Sequence, residues 1–175
     1  MHERTLHSET AFQGKLVRVD VLEVEMDGGK RAIREIIKHP GAAVILAQHP
    51  DGRFVLVRQY RKAVEANLLE VVAGTLDPGE SPEACAYREL TEETGYTATS
   101  LEALGVIYPA PGYSEERLYV YYATLSPERG AICPDDDERI EVEWLTAEAL
   151  ETLIEQGEIC DAKTLAAWTL YRRKR

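Results

Sequence analysis

The chain is poor in cysteine: Cys85, Cys133 and Cys160 are all it has, and they stand too far apart for a CxxC metal site or a disulfide framework. They are expected to be reduced and packed. It lacks a long apolar run, since the longest, around GAAVILA, falls well short of the ~20 residues of a membrane span. The opening MHERTLHSET is too charged for a secretory leader, so a cytoplasmic location is expected. Positive charge is scarce too. With 20 Lys and Arg against 31 Asp and Glu, the formal net charge is -11, and no basic stripe suited to a nucleic-acid backbone is present. The basic end YRRKR is explained by the preference for cations at a helix C-terminus. Neither nucleic acid nor membrane is therefore expected as a partner, although an acidic protein can handle phosphates when metal ions bridge the two. Repeats, low-complexity tracts and linkers are missing as well. What is there, 175 residues of which 45% are hydrophobic, suffices for one well-packed core.

The first half is rich in strand signals. KLVRVDVLEVEM alternates apolar and polar residues, DGGK supplies a turn, and RAIREIIKH follows as a partner, which makes a hairpin. GAAVILAQ and RFVLVRQY, separated by HPDG, read as a second pair, and NLLEVVAG as one short strand. Later strands are expected at SLEALGVIY, RLYVYYATL and RIEVEWL, with helices over TAEALETLIEQG and DAKTLAAWTLYRRKR. The turns are mostly short and favour antiparallel neighbours, so the fold class is α+β, a mixed-sheet sandwich.

The stretch GTLDPGESPEACAYRELTEETGY carries the chemistry. Ser81 suits an N-cap, Pro82 the first helical position and Gly95 a left-handed stop, so a helix is expected over about 82–94. At ~100° per residue Glu89, Glu92 and Glu93 share one arc, with Ala84, Tyr87 and Leu90 on the far side as the face to be buried. Like charges three and four apart repel. A solvated acidic face is the plain explanation. Against it stands the pattern as a whole: Gly74, five residues, Glu80, seven residues, Arg88-Glu89-Leu90, one residue, Glu92-Glu93, one residue, Gly95-Tyr96.

This pattern resembles the signature of the Nudix hydrolases, GX5EX7REUXEEXGU with U a bulky apolar residue, at nine fixed positions over 23 residues. The resemblance implies an α/β/α sandwich with a mixed sheet, preceded by an N-terminal antiparallel β-sheet, that hydrolyses a nucleoside diphosphate linked to another group. It also implies Mg²⁺, with Mn²⁺ as the substitute, bound by Glu89, Glu92, Glu93 and the backbone carbonyl of Ala73. Hard oxygen donors suit these ions, and a cation between the carboxylates offsets their repulsion. Glu80 and Arg88 are expected to tie loop to helix as an ion pair.

Downstream, YPAPGYSEE places Pro111 sixteen residues after Gly95. This is similar to the ADP-ribose pyrophosphatase subgroup, and REIIKHPGAAVILA, VRQYRK, LLEVVAG and DAKT look like its corresponding segments, from about residue 14 onward. The implied reaction is hydrolysis of ADP-ribose to AMP and ribose 5-phosphate. Alternatives are another nucleoside diphosphate sugar such as GDP-mannose, or a non-catalytic nucleotide-sensing module, from which box carboxylates are often lost. By the same resemblance Arg61 contacts phosphate or ribose, Arg34 and Glu35 serve the adenine end, and Glu138 joins Glu89 and Glu93 as a catalytic residue, acting as general base. Asp137, Glu115 and Glu116 compete with Glu138 for that role. Arg58 and Arg61 point to opposite faces of a strand, so only one of them is expected at the ligand. Tyr108 and Tyr113 either stack on a base or pack. Residues 1–40 are expected to form a dimerisation region and 41–175 the hydrolase domain, in a homodimer whose sites use both chains.

Overall fold

Residues 2–130 and 139–175 are described here from a computed structural model. They form two compact units, one built from the chain up to Gly41 with Tyr108–Arg117, the other from Ala42–Ile107 with Leu118–Arg175.

In the first unit β1 (Glu3–Gln13), β2 (Arg18–Met26) and β3 (Arg31–Lys38) make an antiparallel sheet in the order β1-β2-β3. β2 and β3 are the expected hairpin. Its reversal falls on Gly28 and Gly29, whose φ values of 91° and 80° are left-handed and strain any side chain. β1 was not legible in the sequence, because it is exposed nearly throughout and carries no apolar alternation. Tyr108–Arg117 is laced to the end of β3: Ile37 N–H donates to Tyr113 O at 2.7 Å, and Glu115 N–H donates to Ile37 O at 3.1 Å.

The second unit contains β4 (Ala42–Gln48), β5 (Phe54–Arg61), β6 (Ala66–Glu70), β7 (Val72–Thr75), α1 (Pro82–Thr94), β8 (Tyr96–Ile107), β9 (Leu118–Arg129), β10 (Ile140–Leu145), α2 (Ala147–Glu155) and α3 (Ala162–Lys174). The sheet runs β10-β5-β4-β9-β8, with β6 added to β5 and β7 to β4. β4 and β9 are parallel, and the other pairs are antiparallel. The sheet is therefore mixed. This is the mixed sheet expected, and its one parallel pair among the described strands, β4 with β9, is joined by a long crossover.

Both faces of this sheet are covered, which explains why β4 and β5 read as continuous apolar runs. Ala42, Val44 and Leu46 of β4 join Phe54, Leu56, Val120, Leu150, Ala167 and Trp168 in one core beneath α2 and α3. Ala43, Ile45 and Ala47 join Val55, Val57, Cys85, Ala86, Leu90 and Leu125 in the other, beneath α1. Fully burying a Leu-sized side chain contributes roughly 1.5–3 kcal/mol of transfer free energy; α1 is held to the sheet through Leu90 with Cys85 and Ala86, and α3 through Trp168 and Ala167.

Three expectations need correction. Cys85 is buried as expected, but Cys160 is exposed rather than packed, since it falls in the loop between α2 and α3. NLLEVVAG is not one strand: the chain breaks at Val71, so that β6 pairs with β5 and β7 with β4. The buried face of α1 is also not the one expected. Ala84 and Tyr87 are exposed, while Cys85, Ala86, Leu90, Glu93 and Thr94 are buried. The small side chains of Cys85 and Ala86 allow the helix close to β4 and β7, which carries Glu93 inward with Leu90 rather than out to solvent.

Candidate active site

α1 begins and ends as its sequence dictates. Ser81 accepts a hydrogen bond from Ala84 N–H, Pro82 opens the helix, and Gly95 closes it at φ 74° while donating to Thr91 O. The loop before it is tied back by one arginine. Arg88 donates from Nε and Nη2 to Glu80 at 3.0 and 2.9 Å, and from Nη2 to Thr75 O at 3.2 Å. Glu80 also accepts from Asp77 N–H at 3.1 Å. The Arg88 hydrogen bonds hold the Glu80 carboxyl at a pKa of about 2, against the opposing effect of burial. The expected ion pair between loop and helix is present.

The same guanidinium reaches the acidic cluster, at 2.6 Å from Glu89 and 3.1 Å from Glu92. Glu89 is further fixed by Gly74. A Cβ at position 74 would lie 1.8 Å from Glu89 Cδ and 1.9 Å from Oε1, so only a residue without a side chain lets this carboxylate rest against β7, next to Ala73. Glu93, one turn on, is 3% exposed. The donors are all oxygens, which suits a hard divalent cation. Among the described residues no three acids, histidines or cysteines are already gathered as a cage, since Arg88 engages Glu89 and Glu92. The oxygens that would hold such an ion are the carboxylates of Glu89, Glu92 and Glu93 and the backbone carbonyl of Ala73.

A glycine seating a glutamate, the Glu80–Arg88 clamp and a buried second glutamate on one capped helix are the box motif in three dimensions. The sequence pattern of the NUDIX domain matches residues 37–168. The chain belongs to the NUDIX domain family. Over 170 residues it is 41% identical to the ADP-ribose pyrophosphatase of Bacillus subtilis (strain 168), covering 95% of this chain and 91% of that protein. It is 37% identical over 166 residues to the methanol dehydrogenase activator of Bacillus methanolicus, covering 94% and 90%. A solved structure titled as an ADP compounds hydrolase superposes with a TM-score of 0.85 at 25% identity, covering 99% of this chain and 94% of that one.

In this NUDIX unit Arg61, the last residue of β5, donates from Nε and Nη2 to Glu70 at 3.0 and 2.7 Å. Glu70, at the end of β6, also accepts from Lys163 Nζ, and Lys163 lies 3.1 Å from Asp161. The hydrogen bond to Glu70 raises the Arg61 pKa, against burial, with smaller contributions from the negative charges of Glu70, Glu93 and Asp161. Arg61 thus lies within electrostatic reach of the acidic helix. Arg58 engages Glu143 on β10 at 2.5 Å instead. Glu70 and Lys163 had no role assigned from the sequence. The signal was an acid flanked by apolar residues in NLLEVV, together with the capping pattern DAKT.

Apart from Glu138 and Asp137, the remaining candidates belong to the first unit. Arg34, on β3, donates to Glu3 from Nε and Nη2 at 3.1 and 2.6 Å, and Glu35 is exposed one residue on. Pro111 is exposed in the turn, as are Tyr108 and Tyr113. Of the competing acids, Glu115 pairs with Lys38 at 2.5 Å and Glu116 lies 3.6 Å from His39. Glu138 and Asp137 lie outside the described residues.

Proposed function

We propose that this protein is a Mg²⁺-dependent hydrolase that splits ADP-ribose with one water into AMP and ribose 5-phosphate. The observation that carries this reading is the seating of Glu89 against Gly74 with Glu93 buried one turn away. Acids four apart on one helix repel, and a shared divalent cation would make this pair compatible. When bound, the cation neutralises the diphosphate and lowers the pKa of the attacking water.

The chain's own residues supply the rest. Arg61 holds the diphosphate or the ribose beside it, Arg34 and Glu35 serve the adenine end, and Pro111 shapes the loop that selects the second sugar. Glu138 takes the proton of the water as its oxygen attacks phosphorus and the P–O bond to the leaving phosphate breaks. The likeness to an ADP-ribose pyrophosphatase over 91% of its length supports the choice of substrate. A homodimer is proposed as well. Phe12, Leu16 and Ile33 of the first unit are each more than half exposed, apolar side chains that a second copy would cover. No helix among the described residues is long and apolar enough to cross a membrane, and a cytoplasmic location is the proposed one.

The test is product analysis by anion-exchange chromatography after incubation with Mg²⁺ and a panel of nucleotide sugars. AMP and ribose 5-phosphate from ADP-ribose, at higher kcat/KM than GDP-mannose gives its products, is the expected result. Preference for GDP-mannose would move the substrate, and no turnover of any member with intact ligand binding would indicate a sensing module. Light scattering should give twice the 19.6 kDa chain mass.

A further inference from the structure

Glu70 is a carboxylate whose side chain is 1% exposed, and it is approached by two cations, whereas the Arg61 side chain it grips remains 38% exposed. A pair serving only to close a core would be expected to bury both partners, and an apolar pair of the same volume often serves a core as well or better. Here one partner is sunk and the other reaches outward. Because Nε and Nη2 face Glu70, the plane of the guanidinium is fixed and its Nη1 edge is turned away from the carboxylate.

The second cation has its own scaffold. Asp161 caps α3, accepting from Thr164 N–H at 2.9 Å and from Thr164 Oγ1 at 2.6 Å, and it holds Lys163. Thr164 Oγ1 in turn accepts from Val71 N–H at 3.0 Å, at the break that separates Glu70 from β7 and Ala73. All four residues of DAKT thus belong to one turn seated on the strand junction. Lys163, itself held by Asp161, shares Glu70 with Arg61, so the buried carboxylate is fixed from two sides and grips the guanidinium along one edge.

We propose that Glu70 and Lys163 are positioning residues that aim the Arg61 guanidinium at the diphosphate of the substrate. This rests on the reading of Arg61 and of the substrate given above. Their contribution is to binding: Arg61 is ordered before the ligand arrives, and the rotamer entropy of a free arginine is not lost on association.

Steady-state kinetics with ADP-ribose and Mg²⁺ on Arg61→Ala, Glu70→Gln, Lys163→Met, Lys163→Arg and the doubles with Arg61→Ala provide the test, with thermal melts as a fold control. Glu70→Gln and Lys163→Met should raise KM about tenfold, equivalent to 1.4 kcal/mol, with kcat within about threefold of the parent. Lys163→Arg should restore KM. In the Arg61→Ala background neither change should raise KM further, because residues acting through one group are not additive. A parental KM for Lys163→Met, or a full additional rise on top of Arg61→Ala, overturns the proposal. If Glu70→Gln does not fold, the lysine variants decide alone. A wild-type enzyme inactive on ADP-ribose, or an Arg61→Ala variant with parental KM, would remove the underlying reading first, and those two arms identify that failure separately.

Discussion

Replacing Gly74 with alanine tests the site with little disturbance of the fold. The added methyl would meet Glu89 Cδ at 1.8 Å, and ordinary contact starts at 3.4 Å, so the carboxylate must retreat by about 1.6 Å. What it meets is the Glu89 side chain from Cγ outward, 2.3 Å away at Cγ, which must change rotamer at roughly 0.5–1.5 kcal/mol and loosen its 2.6 Å contact with Arg88. The backbone at Gly74 is not in the left-handed region, so alanine gains roughly 0.4–1 kcal/mol by restricting the unfolded chain. The two nearly cancel, and the melting temperature should shift by no more than about 4 °C. Activity is different, because a misplacement of ~1 Å at a reacting centre costs on the order of 10²-fold. AMP release from ADP-ribose with Mg²⁺ should therefore fall about a hundredfold in a protein with a native melt. Adding Glu89→Gln to Gly74→Ala should cost little beyond Glu89→Gln alone, since both act on one carboxylate. Parental kcat/KM in Gly74→Ala would refute the reasoning. So would a fall in melting temperature of ~10 °C or more, which would make the glycine a requirement of the fold rather than of the site.

Glu93→Gln should keep a native circular dichroism spectrum while turnover drops by orders of magnitude, and calorimetry should show weaker Mg²⁺ binding. Glu138→Gln should lower kcat by roughly 10²- to 10⁴-fold with KM for ADP-ribose nearly unchanged, and higher pH should recover part of the rate. A parental kcat there beside a crippled Asp137→Asn or Glu116→Gln would assign the proton transfer to that other acid. Glu80 has a folded pKa of about 2, below the ~4.3 of a free glutamate, so its contribution to stability is present above the free value and is lost as pH falls through the folded one. Melts taken across that acidic window should decline less steeply for Glu80→Gln than for the parent.

Much of the site could be read from the sequence because it is local. The 23 residues from Gly74 carry their own cap, stop and spacing, and α1 runs Pro82–Thr94 where about 82–94 was expected. The β2–β3 hairpin was legible for the same reason, since alternation and a glycine turn lie next to each other in the chain. What escaped was set by distant partners. Angular position on a helical wheel placed Ala84 and Tyr87 inside, whereas the sheet selected the face bearing Cys85 and Ala86, whose small size allows close approach. The break at Val71 follows from β6 and β7 choosing different neighbours, and the pairing of Glu70 with Lys163 joins elements 93 residues apart. β1 carries polar side chains along most of its length, so its pairing with β2 rests on backbone hydrogen bonds that composition does not encode.

The seat of Thr164 on Val71 also bears on how this chain can be varied. One N–H joins the first turn of the last helix to the strand junction that precedes the box, across 93 residues of chain. The C-terminal helix is consequently not an appendage that could be exchanged or trimmed at will. A shortened or recombined gene that kept every box residue but lost Asp161–Thr164 would encode the full motif without the turn on which it leans. Insertions should be better tolerated at the exposed tip of the β4–β5 reversal, Pro50 to Gly52, whose flanks His49 and Arg53 pack on Trp144 while, among the described residues, the tip itself bonds only within its own turn.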